Sequence, residues 1–139
     1  MRAAEKGHIE VVRLLIEAGA DVNIQSIYNR NALIEAAISG CPVKMLLDAG
    51  ADINAADFNN CTPLIGAAIK GHTDTVRTLI EAGADLEIRS IEGLTALGWA
   101  AMNGFKHIVK IFIEAGSDPD YALINCASQM EDASDGVKI

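Results

Sequence analysis

The chain has 139 residues, half of them hydrophobic, and a formal net charge of −8. This length suffices for one continuous apolar core. The acidic balance repels phosphate backbones, so nucleic acid is not expected as a partner. No apolar run approaches the roughly 18 residues that a membrane-spanning helix needs, and the charged amino terminus is unlike a signal peptide.

A five-residue phrase, Gly-Ala-Asp-x-Asn/Glu, recurs along the chain, each time at the end of an apolar helical stretch. Its copies end at Asn23, Asn54, Glu87 and, in degraded form, Asp120, with spacings of 31, 33 and 33 residues. Periods of this length indicate a repeat of one turn plus two helices. A single unit of that kind cannot bury its own apolar face, so the copies are expected to stack.

The first 25 residues predict only part of such a unit. An apolar stripe from Val11 to Ile16 is typical of its second helix, and Gly7 and His8 align with the link between paired helices. In the second unit the link from Gly40 to Val43 is two residues shorter than in the third. Two helical residues correspond to about 3 Å of rise, so the second unit is predicted to be slightly out of phase.

The third unit carries the clearest helix signals. Thr62 is placed to cap a helix with its side chain, and Pro63 follows in the first turn, where a missing N–H costs nothing. Gly71 ends that helix, and a second helix with Leu79 on its apolar stripe stops at Gly83. The short link between them predicts two antiparallel helices.

This unit resembles the ankyrin repeat at nearly every diagnostic position. The matching residues are Asp57, Thr62-Pro63-Leu64, Ala67-Ala68, Gly71-His72, Val76, Leu79-Ile80 and Gly83-Ala-Asp85. Ile34, Ile65 and Gly98 depart from it, because the family usually has histidine there. The resemblance covers almost the whole chain and implies an all-α solenoid of stacked antiparallel helix pairs joined by turn and hairpin loops.

We expect one array over residues 1–139. Its predicted parts are a partial repeat at 1–25, repeats at 26–56, 57–89 and 90–120, and a partial repeat or C-terminal cap at 121–139. Because Ala122 to Ala127 matches Ala32 to Ala37, the chain is interpreted as a window from a longer array. The alternative is a true cap with an acidic tail at 131–135.

Titratable and nucleophilic residues give no catalytic pattern. Cys41, Cys61 and Cys126 are odd in number and one per repeat, which favours reduced thiols in the cytoplasm over zinc or a redox pair. The histidines fall in different repeats, where local loop hydrogen bonds are expected. No cofactor or metal is predicted. The aspartates of the recurring phrase, Asp21, Asp52, Asp85 and Asp118, are predicted to shape turns.

Positions at which the repeats differ from one another are the candidates for partner contacts. The resemblance implies a concave surface made by the turn tips and the exposed side of each first helix. Trp99 is expected to be exposed, since Glu35 stands at the equivalent position of the second unit and an unpaired glutamate is almost never buried. The competing interpretation packs the turn residues, Ile69 and Met102 between repeats. The candidate contacts are Tyr28, Arg30, Phe58, Ile91, Leu94 and Trp99, supported by Ile69 and Met102.

The favoured function is a non-enzymatic scaffold, expected to be a cytoplasmic monomer, that binds a protein with a neutral or basic surface. An alternative is that the chain recruits substrate for an enzyme whose catalytic domain lies outside it. A third hypothesis is modification of the array itself. The sequence around Asn23 and Asn54 resembles the ankyrin sequences used by asparaginyl hydroxylases, although that pattern is also the repeat consensus.

Overall fold

The computed structural model describes the backbone of residues 2–137 and the side chains of residues 8–130. Every regular element in this part of the chain is a helix, as predicted. The helices are α1 (Arg2–Glu17), α2 (Ala32–Ser39), α3 (Lys44–Asp48), α4 (Pro63–Lys70), α5 (Thr73–Glu81), α6 (Ala96–Met102), α7 (Lys106–Glu114) and α8 (Asp120–Val137). None of these helices has both the length and the apolarity that a membrane span requires.

The helices stack in two rows. In the first row α2 packs on α4, α4 on α6 and α6 on α8; in the second, α5 packs on α7. Each of the pairs α2–α3, α4–α5 and α6–α7 is itself in contact. The core lies between the rows, where Leu64 of α4 and Leu79 of α5 are both buried. Each pair therefore depends on its neighbours to cover its apolar face.

A side-chain cap starts each first helix of the row α2, α4 and α6. The caps Asn31, Thr62 and Thr95 accept hydrogen bonds from the backbone N–H groups of Ile34, Ile65 and Gly98 at 2.9, 3.2 and 3.2 Å. Ile34 and Ile65, which replace the usual histidine, are fully buried. Apolar packing therefore takes the place of the polar contacts that histidine would make.

The recurring aspartates shape the turns between repeats, as predicted. In every copy the aspartate Oδ1 accepts a hydrogen bond from the backbone N–H two residues further on, at 2.9 to 3.0 Å. In the first three copies the residue that donates this bond also accepts a hydrogen bond from the next copy. The backbone N–H groups of Asp52, Asp85 and Asp118 donate to the side-chain oxygens of Asn23, Asn54 and Glu87 at 2.7, 2.9 and 3.3 Å. We name these three contacts the inter-repeat ladder.

Asn23 and Asn54 therefore each have a structural role in the inter-repeat ladder. Asn23 also donates from Nδ2 to the backbone oxygen of Gly50 at 3.1 Å. The hypothesis that these two asparagines are hydroxylated stays a prediction. An intact mass with one extra oxygen per modified site would support it.

The links between paired helices also stack on one another. The His72 Nε2 lies 3.0 Å from the backbone oxygen of Ile38, in the preceding repeat, so the predicted local loop bond is instead a contact between repeats. The imidazole occupies the space beside Gly40, where an added Cβ would stand 2.7 Å from the ring. Phe105 covers Gly71 in the same way, at 3.0 Å.

Two helix boundaries differ from the prediction. Gly7 and His8 were expected to form a link, but α1 runs through both without a break. A glycine inside a helix costs only about 1 kcal/mol relative to alanine, so Gly7 is compatible with a continuous α1. At the other end α8 is likewise one continuous helix of 18 residues.

The second helix of the second unit is shorter than the loss of two residues from its preceding link predicts. Helix α3 has five residues, whereas α5 and α7 have nine each. A difference of four residues corresponds to about 6 Å of rise, twice the predicted value. Val43 precedes the helix and provides no side-chain cap. Helix α3 begins only at Lys44, two residues after Pro42.

Candidate partner-binding surface

Three tight turns project from the array before α2, α4 and α6. In each, the first residue accepts a backbone hydrogen bond from the fourth at 2.8 to 3.0 Å. The fourth residue has a positive φ, of 60° at Asn29, 56° at Asn60 and 86° at Gly93, which glycine and asparagine tolerate best. The two middle residues of such a turn point away from the chain, so their side chains extend outward.

Large apolar side chains occupy these outward positions. Tyr28 is 65% exposed, Phe58 is 71% exposed and Ile91 is 69% exposed. We call these three residues the turn-tip row. The Ile91 N–H donates to the Asn59 backbone oxygen of the preceding turn at 2.8 Å, which ties two adjacent tips together. The row therefore presents apolar groups on a backbone that is already ordered.

A groove of about 330 Å³ lies between the turns and the first helices. We call it the central groove. The predicted contacts Arg30, Ile69 and Trp99 line it, whereas Leu94 and Met102 are half-buried and do not. The remaining lining residues are Ile38, Asp57, Asn59, Cys61, Ile65, Gly66, Lys70, Ser90 and Glu92. The structure thus divides the predicted contacts into exposed tips, groove-lining residues and half-buried residues.

Asp57 is a buried carboxylate at the centre of one turn. Its Oδ1 accepts the backbone N–H groups of Asn59 and Cys61 at 2.9 and 3.0 Å, and its Oδ2 accepts the Arg30 Nε–H at 3.2 Å. Arg30 also approaches Glu35 at 3.6 Å. A buried charge that loses its partner is strongly destabilising, so Arg30 joins two repeats and is not solely a surface contact.

Trp99 is half-buried, not the water-exposed indole that the sequence predicts. Its Nε1–H donates to the Ser90 Oγ at 3.1 Å, and Ser90 is itself buried. The prediction relied on Glu35, which stands at the equivalent position of the second unit and extends to solvent. The indole of Trp99 instead lies against its own turn, where it has a polar partner. One face of Trp99 still lines the central groove.

Gly66 sets the shape of the groove floor. A Cβ added to Gly66 would stand 2.8 Å from Ile38 Cγ1, so glycine lets Ile38 of the preceding repeat approach the helix backbone. At Gly98, in the first helix of the next repeat, an added Cβ would stand 2.9 Å from Asn125 Nδ2, so there too glycine lets the following helix approach. Alignment of the three repeats shows at which positions their residues differ. It does not show which side chains of adjacent repeats come close to each other. For this reason the sequence analysis missed Asp57, Ser90 and Lys70 as groove residues.

Cys61 is a poor nucleophile in this setting. Burial, and then the negative charge of Asp57, raise the pKa of its thiol to about 11. The thiolate is the reactive form, so at neutral pH this side chain acts as a small packing group. Elsewhere among the described side chains, the histidine, cysteine and acidic groups do not gather in threes as a metal site would need.

Stacked helix pairs with hydrogen-bonded turns projecting from one side define a solenoid repeat protein. A family model described as "Ankyrin repeats (3 copies)" matches residues 1–90 and 43–123, and the chain belongs to the ankyrin repeat family. Repeats of this family generally serve as protein-interaction modules.

The chain is also similar to a curated human protein. It is 58% identical over 40 residues to the 2-5A-dependent ribonuclease of Homo sapiens. The match spans 28% of this chain and only 5% of that protein. The similarity therefore concerns a short stretch of repeat sequence.

Proposed function

We propose that this chain is a non-enzymatic scaffold that binds a partner protein along its turn-tip row and central groove. The observation that carries the proposal is the turn-tip row itself. Tyr28, Phe58 and Ile91 are 65 to 71% exposed, although their turns are held by hydrogen bonds within and between repeats. A preordered surface binds with little loss of conformational entropy, so these side chains can contact a partner at low cost.

The charges of the surface indicate the chemistry of the partner. Within the groove Arg30 is paired with Asp57, which leaves Lys70 and Glu92 as oppositely charged rim groups. Glu35, which approaches Arg30 at 3.6 Å, is 54% exposed, and the chain carries a net charge of −8. A neutral or basic protein with apolar side chains matches this surface. The three unpaired cysteines favour a cytoplasmic location, where thiols stay reduced.

The central test separates affinity from folding. A partner captured from lysate with the 139-residue chain is identified by mass spectrometry, and its affinity is measured against Tyr28→Ala and Phe58→Ala. Each change is expected to weaken binding by about 2 kcal/mol or more, roughly 30-fold. Both side chains are exposed, so the free energy of unfolding should barely change.

Ile24→Ala is the matched control, since Ile24 is 73% exposed in the loop between α1 and α2. It removes apolar surface of similar size outside the turn-tip row, and affinity should remain at the wild-type value. Unchanged affinity in both Tyr28→Ala and Phe58→Ala would contradict the proposed surface. A specific small metabolite as the captured ligand would count against a protein-binding role.

The second candidate is a substrate-recruiting segment of a larger enzyme. The observation that favours it is the similarity to a protein named as a ribonuclease, of which the matched stretch is a small part. The sequence on either side of this chain in its gene would distinguish the two. A catalytic domain there, together with chemical change of the captured partner by the longer protein, would support recruitment of substrate over scaffolding.

A further inference from the structure

The central groove lies where the first helices carry residues of very different size at one position. That position holds Glu35 in α2, Gly66 in α4 and Trp99 in α6. Gly66 has no side chain, so Ile38 of the preceding repeat lies against it and Trp99 of the following repeat lines the same groove. The volume of about 330 Å³ is at the lower end of the roughly 300 to 1,000 Å³ that ligand pockets have. The groove is therefore sized for one side chain and not for a whole helix.

The charged residues that line the groove cancel one another. Arg30 and Lys70 are the cations, and Asp57 and Glu92 are the anions. The Arg30 Nε–H also donates to the Asp57 Oδ2 at 3.2 Å. A charged side chain that entered from a partner would lose its water without meeting an excess of opposite charge, and a buried charge without a partner is costly. The groove therefore favours a neutral occupant.

Two groups fixed beside the groove favour an aromatic occupant over an aliphatic one. The hydrogen bond from the Trp99 Nε1–H to the Ser90 Oγ, at 3.1 Å, holds the indole in place. A second aromatic ring packed on an indole gains free energy beyond the burial of its area. The Arg30 side chain, held by Asp57, is 33% exposed, and a guanidinium attracts the face of an aromatic ring. An aliphatic side chain makes neither of these contacts.

We propose that the central groove receives one aromatic side chain of the partner protein, which packs against the Trp99 indole. This inference rests on the proposed function, because it names the group that the partner presents to that surface. Asn59 lines the groove and directly follows Phe58 of the turn-tip row, so the two parts of the surface adjoin. A partner segment that crosses the turn-tip row can therefore place an aromatic anchor in the groove.

Small model compounds test the groove without any partner. The chain has a single tryptophan, so one indole N–H signal in a proton–nitrogen correlation spectrum reports on the groove. N-acetyl-phenylalaninamide should move this signal saturably, with a dissociation constant in the millimolar range, because so small a compound makes few contacts. N-acetyl-leucinamide should bind about threefold more weakly or less. N-acetyl-lysinamide should leave the signal unchanged.

Reversing one charge of the groove tests the argument for a neutral occupant. Lys70→Glu gives the groove an excess of negative charge, so N-acetyl-lysinamide should then move the indole signal. Arg77→Glu makes the same change of charge on α5, outside the groove lining, and should leave the signal unmoved by that compound. Both side chains are exposed, so both variants should keep the wild-type circular dichroism spectrum. Equal responses of the two variants would overturn the argument for a neutral occupant.

The captured partner gives the corresponding measurement on the complex. Each aromatic residue of its binding segment is replaced by alanine, and one replacement should weaken binding to the wild-type chain by about 30-fold. The same replacement should have a much smaller effect on binding to Trp99→Leu, because the contact is already lost there. With Tyr28→Ala, whose side chain lies at a turn tip, the replacement should still weaken binding by about 30-fold.

The outcomes separate this inference from the proposed function. If Tyr28→Ala and Phe58→Ala weaken binding but no aromatic residue of the partner is coupled to Trp99, the function stands and the aromatic anchor is wrong. The anchor is also wrong if the phenylalanine compound leaves the indole signal in place, or if the leucine compound binds equally well, whether or not a partner is captured. The titrations use the wild-type chain, so their result holds even if Trp99→Leu unfolds.

Discussion

At the scale of single residues, Ser117 stands out as a polar atom without a partner. It takes the place of the alanine in the recurring phrase, where Ala84 is buried in the preceding repeat. Its Oγ is buried and has no hydrogen-bond partner among the described residues. Leaving a buried hydroxyl unpaired costs free energy, while an apolar group of the same shape does not. This serine therefore weakens its own repeat.

Ser117→Ala should accordingly stabilise the chain by about 1 kcal/mol. Denaturant unfolding of the variant and the parent measures the difference. Ser90→Ala is the matched control, since Ser90 is equally buried but accepts the Trp99 indole N–H. That substitution should instead destabilise by about 1 kcal/mol. Equal effects at both positions would show that the unpaired Oγ has no energetic consequence.

The raised pKa of Cys61 predicts slow reaction with thiol reagents. A shift from the ordinary value of 9.0 to about 11 lowers the thiolate fraction near pH 8 by about a hundredfold. The labelling rate of Cys61, isolated by Cys41→Ser and Cys126→Ser, should therefore keep rising until the pH approaches 11. The same protein in urea should level off near pH 9. A folded profile that levels off there would contradict the burial of this thiol.

The same shift has a consequence for stability. Since the folded pKa of Cys61 lies above the unfolded one, the folded state holds its proton more tightly. The associated contribution is complete below about pH 9 and is lost as the pH rises towards 11. Any alkaline loss of stability in this window should diminish in Cys61→Ala.

At the scale of helices, one position in the repeat can be compared in two environments. Leu79 of α5 is fully buried and Leu15 of α1 is 54% exposed. Leu79→Ala should lower the free energy of unfolding by about 2 to 5 kcal/mol through lost burial and a cavity. Leu15→Ala should cost well under half of that, because its side chain is already half exposed. Similar costs at both positions would contradict the difference in burial between the two leucines.

Much of the helical framework could be predicted because its rules are local in sequence. The cap at Thr62, the left-handed glycine at Gly71 and the aspartate turns all depend on residues only two to four positions apart. Gly7 shows the limit of local rules, since glycine permits a link without requiring one. At Gly71 the link does form, and α5 packs back on α4 there.

The partner-binding surface was less predictable, because its side chains contact residues far away in sequence. Arg30 reaches Asp57 across 27 positions, and Trp99 turns back to Ser90. Alignment of the repeats placed Phe58 and Ile91 at exposed tips, since a turn dictates their direction. It could not show whether Trp99 lies on the surface or against its own turn, since both are compatible with the same spacing.

At the scale of the whole molecule, stability should fall from the centre of the array towards its ends. The pairs α4–α5 and α6–α7 pack on neighbouring helices, whereas in the described chain α8 packs on α6 and α1 makes only sparse contacts. Stability in a linear array grows with each neighbour interface. Amide hydrogen exchange in dilute protein should therefore be slowest in α4 and α6 and fastest in α1 and α8. Uniform protection along the chain would instead indicate one cooperative unit.

The inter-repeat ladder has a consequence for how such a chain can change over generations. The bonds from Asp52 to Asn23 and from Asp85 to Asn54 join the same two positions at successive junctions, and that from Asp118 uses Glu87 in the same place. Duplication of a whole repeat in the gene would therefore create a new junction with the same bonds as the old ones. Because the ladder lies outside the turn-tip row, the duplicated tip is free to mutate towards a different partner while the junctions on either side stay intact.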